Sequence, residues 1–220
     1  MKYLSISSLK MRYFLCLSLA VAFLLPNSAL AQMSALDQFF SGDRVTYSSI
    51  GNPKAKGLEV TFEYPTSWGG ADGKRPNMLF QVTSEKGRGL EICNLAIREI
   101  IIPPGESFTE KDAAEIFNPG ELKDFVPQGG VFIDGKQTKL DGQPAAWIKF
   151  RQEIQRAGMT LQTMFVLFPV YYDRKLIFFS CGVGDDGDRS LVKVEQRFNL
   201  AFPLFRQMAN SIIIHSRWKR

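Results

Sequence analysis

Apolar and polar residues alternate along much of this chain, and the period changes in two places. In 57–64, GLEVTFEY, Leu58, Val60, Phe62 and Tyr64 alternate with Glu59, Thr61 and Glu63, which predicts a half-buried strand. Segments 78–84 and 90–102 predict two more, joined by Glu85-Lys86-Gly87-Arg88-Gly89, whose glycines suit a hairpin. The second carries apolar residues on both alternate faces, Ile92 and Ala96 against Cys93, Leu95 and Ile97, and so asks for cover on both sides. Four further extended runs, 131–140, 145–156, 160–172 and 176–183, follow one another with short links. Short links between extended runs predict an antiparallel meander. Pro169 places the third of these runs at an edge or on a bulge.

The helical period appears mid-chain and at the end. Thr109 stands as an N-cap before EKDAAEIF with Asp112 three residues on, and Asn118-Pro119-Gly120 closes that helix. Near the end, Val194, Phe198, Ala201, Phe205, Met208 and Ile212 fall four, three, four, three and four apart, one continuous stripe. Pro203 is expected to kink or divide this helix, and 212–214 to form a short final strand. Strands, a mid-chain helix and a terminal helix make an α+β layered sandwich, with a central antiparallel sheet of about six or seven strands between helices.

Composition sharpens this to an exported protein. Residues 13–25, YFLCLSLAVAFLL, follow Lys2, Lys10 and Arg12 and precede Ala29-x-Ala31, so 1–31 reads as a secretory signal cleaved before Gln32. The run is too short for a comfortable span of about 20 residues. No later segment comes close to one. An uncleaved anchor is the rival reading. Without 1–31 the 27 basic residues fall to 24 against 22 acidic, and the net charge falls from +5 to +2. Arg217, Lys219 and Arg220 sit in the last four residues, so the body is nearly neutral and offers no clustered basic face for nucleic acid. The expected division is a signal at 1–31, a lead-in at 32–54, one domain at 55–214 and a basic tail at 215–220. The location is periplasmic or secreted.

Export also bears on the cysteines. Cys93 and Cys181 remain after cleavage, an even pair in an oxidising compartment, and they either bridge or sit as buried small hydrophobes.

No motif singles out a reaction. Gly182-Val-Gly184-Asp-Asp-Gly187 fits G-x-G-x-x-G after a predicted strand. Asp185 and Asp186, however, occupy the place of pyrophosphate, and too little chain follows for a dinucleotide fold. Asp185, Asp186 and Asp188 are hard oxygen donors for calcium, but their spacing is not that of a calcium loop, and a helix-capping role explains them as well. Ser190-x-x-Lys193 lacks the companion elements of penicillin-recognising enzymes, and the plainer reading is a strand-to-helix turn in which Asp188 or Ser190 caps the terminal helix. His215 is the only histidine, so a triad or a Cys/His dyad would have to reach the tail. No cofactor is expected. The surface candidates are Trp68, beside a Gly-Gly turn, and Trp218 with Arg217, Lys219 and Arg220; a frayed, solvated tail and core tryptophans at 68 and 147 are the plainer readings.

GLEVTFEYPTSW, the LDGQPAAWIKF hairpin, the KLIFFSCGVG strand and the closing FPLFRQMANSI together resemble the PsbP-like family. That fold is shared by lumenal extrinsic proteins of photosystem II, bacterial DcrB and LpqN proteins and a Ran-binding nuclear import factor. The resemblance implies a sheet between helices and a binding or accessory role with no shared catalytic site. The expected function is therefore a non-catalytic binding protein of the envelope, working on a protein partner. The alternatives are a carboxylate-dependent hydrolase on an envelope substrate and a small-molecule carrier.

Overall fold

The computed structural model describes residues 34–219 except 104, 106, 157, 186, 188 and 189. The predicted signal at 1–31 and Arg220 lie outside the described residues. A compact unit runs over Ala35–Arg220. No helix among the described residues is long and apolar enough to cross a membrane.

Ten strands form two antiparallel sheets among the described residues. The larger contains β3 (Gly69–Asp72), β4 (Met78–Thr83), β5 (Glu91–Glu99), β6 (Gly130–Leu140), β7 (Gln143–Arg156), β8 (Met159–Tyr172) and β9 (Lys175–Gly184). Its order is β3-β4-β5-β9-β8-β7-β6. Two meanders, β3 to β5 and β6 to β9, are thus joined along the β5/β9 pair. The smaller sheet sets β2 (Val60–Pro65) between β1 (Arg44–Ser48) and β10 (Ile213–Ile214).

Local chemistry explains the turns. Leu140 pairs with Gln143 across Asp141 (φ 46°) and Gly142 (φ 73°), two consecutive left-handed residues that match the right-handed twist of a tight hairpin. Tyr172 pairs with Lys175 across Asp173 and Arg174 in the same way. Between β4 and β5 the chain turns through Ser84–Gly87, with Glu85 and Lys86 left-handed. Pro169 lies inside the sheet, not at its edge, since β8 runs between β9 and β7. It pairs with Phe178 of β9, while pairing to β7 skips from Val170 to Leu167 without a change of register. A residue with no N–H to give is accommodated by that local lapse.

The main core lies on one face of the large sheet. Cys93, Leu95, Ile97, Val166, Ile177 and Phe179 meet Val60 and Phe62 of the small sheet and Phe198, Phe205 and Met208 of helix α3 (Leu191–Asn210). Phe62 and Phe179 are 5.1 Å apart between ring centres, and Tyr47 of β1 stacks on Phe80 at 4.2 Å. Helix α1 (Ala35–Ser41) adds Phe39 to the same cluster. The stretch 32–54, read as a lead-in, therefore contributes a helix, a strand and core side chains. On the opposite face, helix α2 (Glu110–Ile116) and the turn Leu122–Phe125 cover β7 and β8 through Ala113, Phe117, Leu122, Ala146, Ile148 and Tyr171. The sheet is thus sandwiched as expected, although Ile92 and Ala96 on the second face of β5 are only half-buried.

The caps predicted from sequence form. Thr109 accepts from Asp112 N while the Asp112 carboxylate accepts from Thr109 N at 2.6 Å and from Thr109 Oγ1 at 2.8 Å, a closed capping box. These bonds hold the Asp112 carboxyl below its ordinary value. Ser190 caps α3 by accepting from Lys193 N at 3.3 Å. That helix runs through Pro203 undivided.

A basic and aromatic cleft beside the edge strand

The sequence-derived candidates disperse in the fold. Trp68 is a core residue, 5% exposed and edge-on to Phe205 at 6.4 Å, so it presents no contact surface. It belongs to the main apolar cluster, and the Gly69-Gly70 segment that follows it is a strand paired with β4. Cys93 and Cys181 stand directly opposite each other on β5 and β9, fully buried, and are joined as a disulfide. The Asp185 carboxylate accepts from the backbone N–H groups of Gly187 and Gln162, which closes the turn after β9. Asp186 and Asp188 lie outside the described residues. Gly182, the first glycine of the tempting fingerprint, lies under the Phe165 ring, where an added Cβ would come within 2.2 Å of a ring carbon. Its smallness serves packing between β9 and β8.

The tail is fastened down, not frayed. Ile214 N donates to Asp141 Oδ2 at 2.9 Å, His215 N to Glu59 O at 2.8 Å, and Glu59 N to Ser216 Oγ at 2.9 Å. Arg217 bonds the Asp141 carbonyl and Lys219 the Glu59 carboxylate, while the Arg217 guanidinium lies 4.8 Å from the exposed Trp218 ring. Arg217 and Lys219 already have partners within the fold.

A different set of cations converges elsewhere. Alternation along β6 and β7 puts Lys136, Thr138 and Leu140 on the same side of the sheet as Trp147 and Lys149, with Lys136 directly opposite Trp147. Helix α3 crosses this side, and its i, i+4 spacing presents Phe198, Phe202 and Arg206 in a row. Trp147 and Phe202 meet edge-on at 6.1 Å. Lys149 Nζ lies 3.9 Å from the Phe202 ring centre and 5.5 Å from that of Trp147, and the Arg206 guanidinium lies 6.0 Å from the Phe202 centre. Such placements favour a cation by about 0.5–1 kcal/mol at exposed sites.

Beside these residues is a hollow of about 180 Å³ with Phe168 and Leu140 as its buried apolar floor. Lys136, Thr138, Arg206 and Asn210 stand on its rim with Trp147, and its lining includes no carboxylate. Among the described residues, Lys136, Lys149 and Arg206 are in no ion pair. Lys149 has the Asp134 carboxylate opposite it across the strands, whereas Lys136 has Trp147 opposite it. An apolar floor, cations without counter-ions and rim donors together suit an anionic group carried on a short apolar stem.

This cleft was not found from the sequence. Lys136, Trp147, Phe202 and Arg206 form no local motif, and only the β6/β7 register and the path of α3 bring them together. The faint available signal was Trp147-x-Lys149, one face of a strand, together with Phe202 and Arg206 on one face of a helix.

No family model matches the chain, and no curated protein matches it. Among solved structures it is similar to the cyanobacterial PsbP protein of Synechocystis, with a TM-score of 0.45, 19% identity, 78% of this chain and 92% of that one covered. It is also similar to the Saccharomyces cerevisiae Ran-binding protein Mog1p, with a TM-score of 0.46, 8% identity, and 78% and 95% covered. A third is LpqN of Mycobacterium tuberculosis, described as involved in cell envelope biogenesis, with a TM-score of 0.43, 13% identity, and 81% and 95% covered. PsbP and LpqN are both among the proteins whose fold the sequence was seen to resemble.

Proposed function

We propose that this protein is an exported accessory protein of the cell envelope that works by binding a partner polypeptide at the cleft between β6, β7 and α3. The observation that carries this reading is an apolar-floored hollow whose lining holds two cations, Lys136 and Arg206, in no ion pair among the described residues, and no carboxylate, with a third cation, Lys149, nearby on the Trp147 and Phe202 rings. The buried disulfide and the predicted signal support an oxidising compartment. A hydrolase working by paired carboxylates finds none in the lining of this hollow. A carrier for a drug-sized molecule would need roughly 300–1,000 Å³, more than the 180 Å³ here.

The test is photo-crosslinking in cells, with a photoreactive residue at Asn210 on the rim or, as control, at Leu200 on the exposed side of α3. A discrete protein adduct from position 210 and none from position 200 supports the reading. Equal or absent adducts from both positions overturn it.

A further inference from the structure

The hollow opens beside a sheet edge. Strand β6 ends the order of the seven-stranded sheet and pairs with β7 alone, so the outward N–H and C=O groups of its regular stretch, 135–140, have no strand beside them. A bulge between Phe132 and Asp134 disturbs the other end of β6, which blunts the edge there and leaves the stretch beside the cleft straight. Within that stretch Lys136 and Thr138 face the α3 side and line the hollow. A strand added alongside would lie about 4.8 Å away, and its residue opposite Lys136 would point to the same side of the sheet.

Resting on the proposed binding role, we infer that the occupant is an extended acidic segment of a partner polypeptide, which pairs its backbone with the free edge of β6 and lodges a carboxylate between Lys136 and Arg206. Main-chain pairing supplies attachment, and the cleft selects the side chain. Alternation in the added strand sends every second residue to the cleft side, so the preferred segment carries acids at every second position. The unpaired cations make the charge choice: a lysine in the same place would face two like charges.

The test uses the full-length chain and a fluorescein-labelled peptide of alternating Glu and Thr, read by anisotropy. Three comparison probes accompany it: the Lys/Thr counterpart, the Glu/Thr peptide N-methylated at alternate residues so that one backbone edge is blocked, and vesicles of anionic phospholipid. The Glu/Thr peptide is expected to bind, more weakly as salt rises. Lys136→Glu and Arg206→Glu should each weaken it by about tenfold or more, the scale of a charge-assisted contact reversed. Both positions are exposed, and unchanged urea melts will confirm that the variants fold. The Lys/Thr and N-methylated peptides should not bind.

Equal binding of the N-methylated peptide overturns strand addition. Unchanged affinity in both charge variants overturns the cleft as the acid site. Binding to vesicles but to no peptide overturns the polypeptide occupant. Failure here, alongside a specific adduct at position 210 in cells, would leave the binding role standing and remove only the extended acidic segment.

Discussion

Opening the Cys93–Cys181 bridge should remove a large share of the protein's stability. The two residues are 88 apart in sequence and lie opposite each other on β5 and β9, the seam between the two meanders. In the folded chain that seam is held by a full ladder of paired residues, so the bridge acts mainly on the unfolded chain, whose ends it keeps together. Closing a loop of that length lowers the unfolded chain's entropy by about 15 cal/mol/K, or about 4.6 kcal/mol at 25 °C. Set against a usual total of about 5–15 kcal/mol, this is the difference between a robust fold and a marginal one. For a chain of this size it corresponds to a melting point lower by about 9–18 °C. The assay is urea unfolding of the chain from residue 32, followed by tryptophan fluorescence with and without reductant. The variant Cys93→Ala/Cys181→Ala separates the cross-link from the chemistry of the thiols, and its buried sites add a small volume loss. Thiol counting of the denatured, oxidised protein should give none. A reduced protein within about 1 kcal/mol of the oxidised one would refute the loop-entropy reasoning.

Four further positions, Gly182, Thr109, Asp112 and Asp141, test how the fold is assembled. Gly182→Ala should cost about 1–3 kcal/mol by overpacking against Phe165, and the double variant with Phe165→Ala should recover part of that loss in a mutant cycle of urea melts. Thr109→Ala should cost about 1 kcal/mol through loss of the cap. The Asp112 carboxyl is lowered in the folded state, so the stability it lends is present above the ordinary carboxyl range, near pH 4, and is lost as pH falls through its folded value; Asp112→Asn should flatten that part of the pH–stability curve. Asp141→Ala removes the acceptor of Ile214 N and one partner of Arg217, and should cost about 1–3 kcal/mol; limited proteolysis should then trim the last residues first.

Legibility from sequence followed the range of the interaction. The meander β6 to β9 was readable because each strand pairs with the next across two residues, and Asp141-Gly142 carries the turn's own chemistry. The caps at Thr109 and Ser190 were readable for the same reason. The seam of β5 with β9 was not, since nothing local says which distant strand fills the edge. Helix α1 and strand β1 escaped notice because their pattern is broken: β1 buries Tyr47 alone, while Val45 is 38% exposed. The tail read as loose because its partners, Glu59 and Asp141, are remote in sequence.

The tail and the cleft use the same residue types to opposite ends. Arg217 and Lys219 looked like a free basic patch in the sequence, and folding answers each with an acid or a carbonyl, so they close the structure. Lys136 and Arg206 looked like ordinary surface cations, and folding brings them together on one hollow with an apolar floor and no carboxylate in its lining. Like charges gathered in this way repel one another. Sequences that specify one fold make their local choices agree with it, and departures from that agreement concentrate where binding is done. The unanswered charge, and not the more conspicuous basic tail, is therefore where a partner is to be sought.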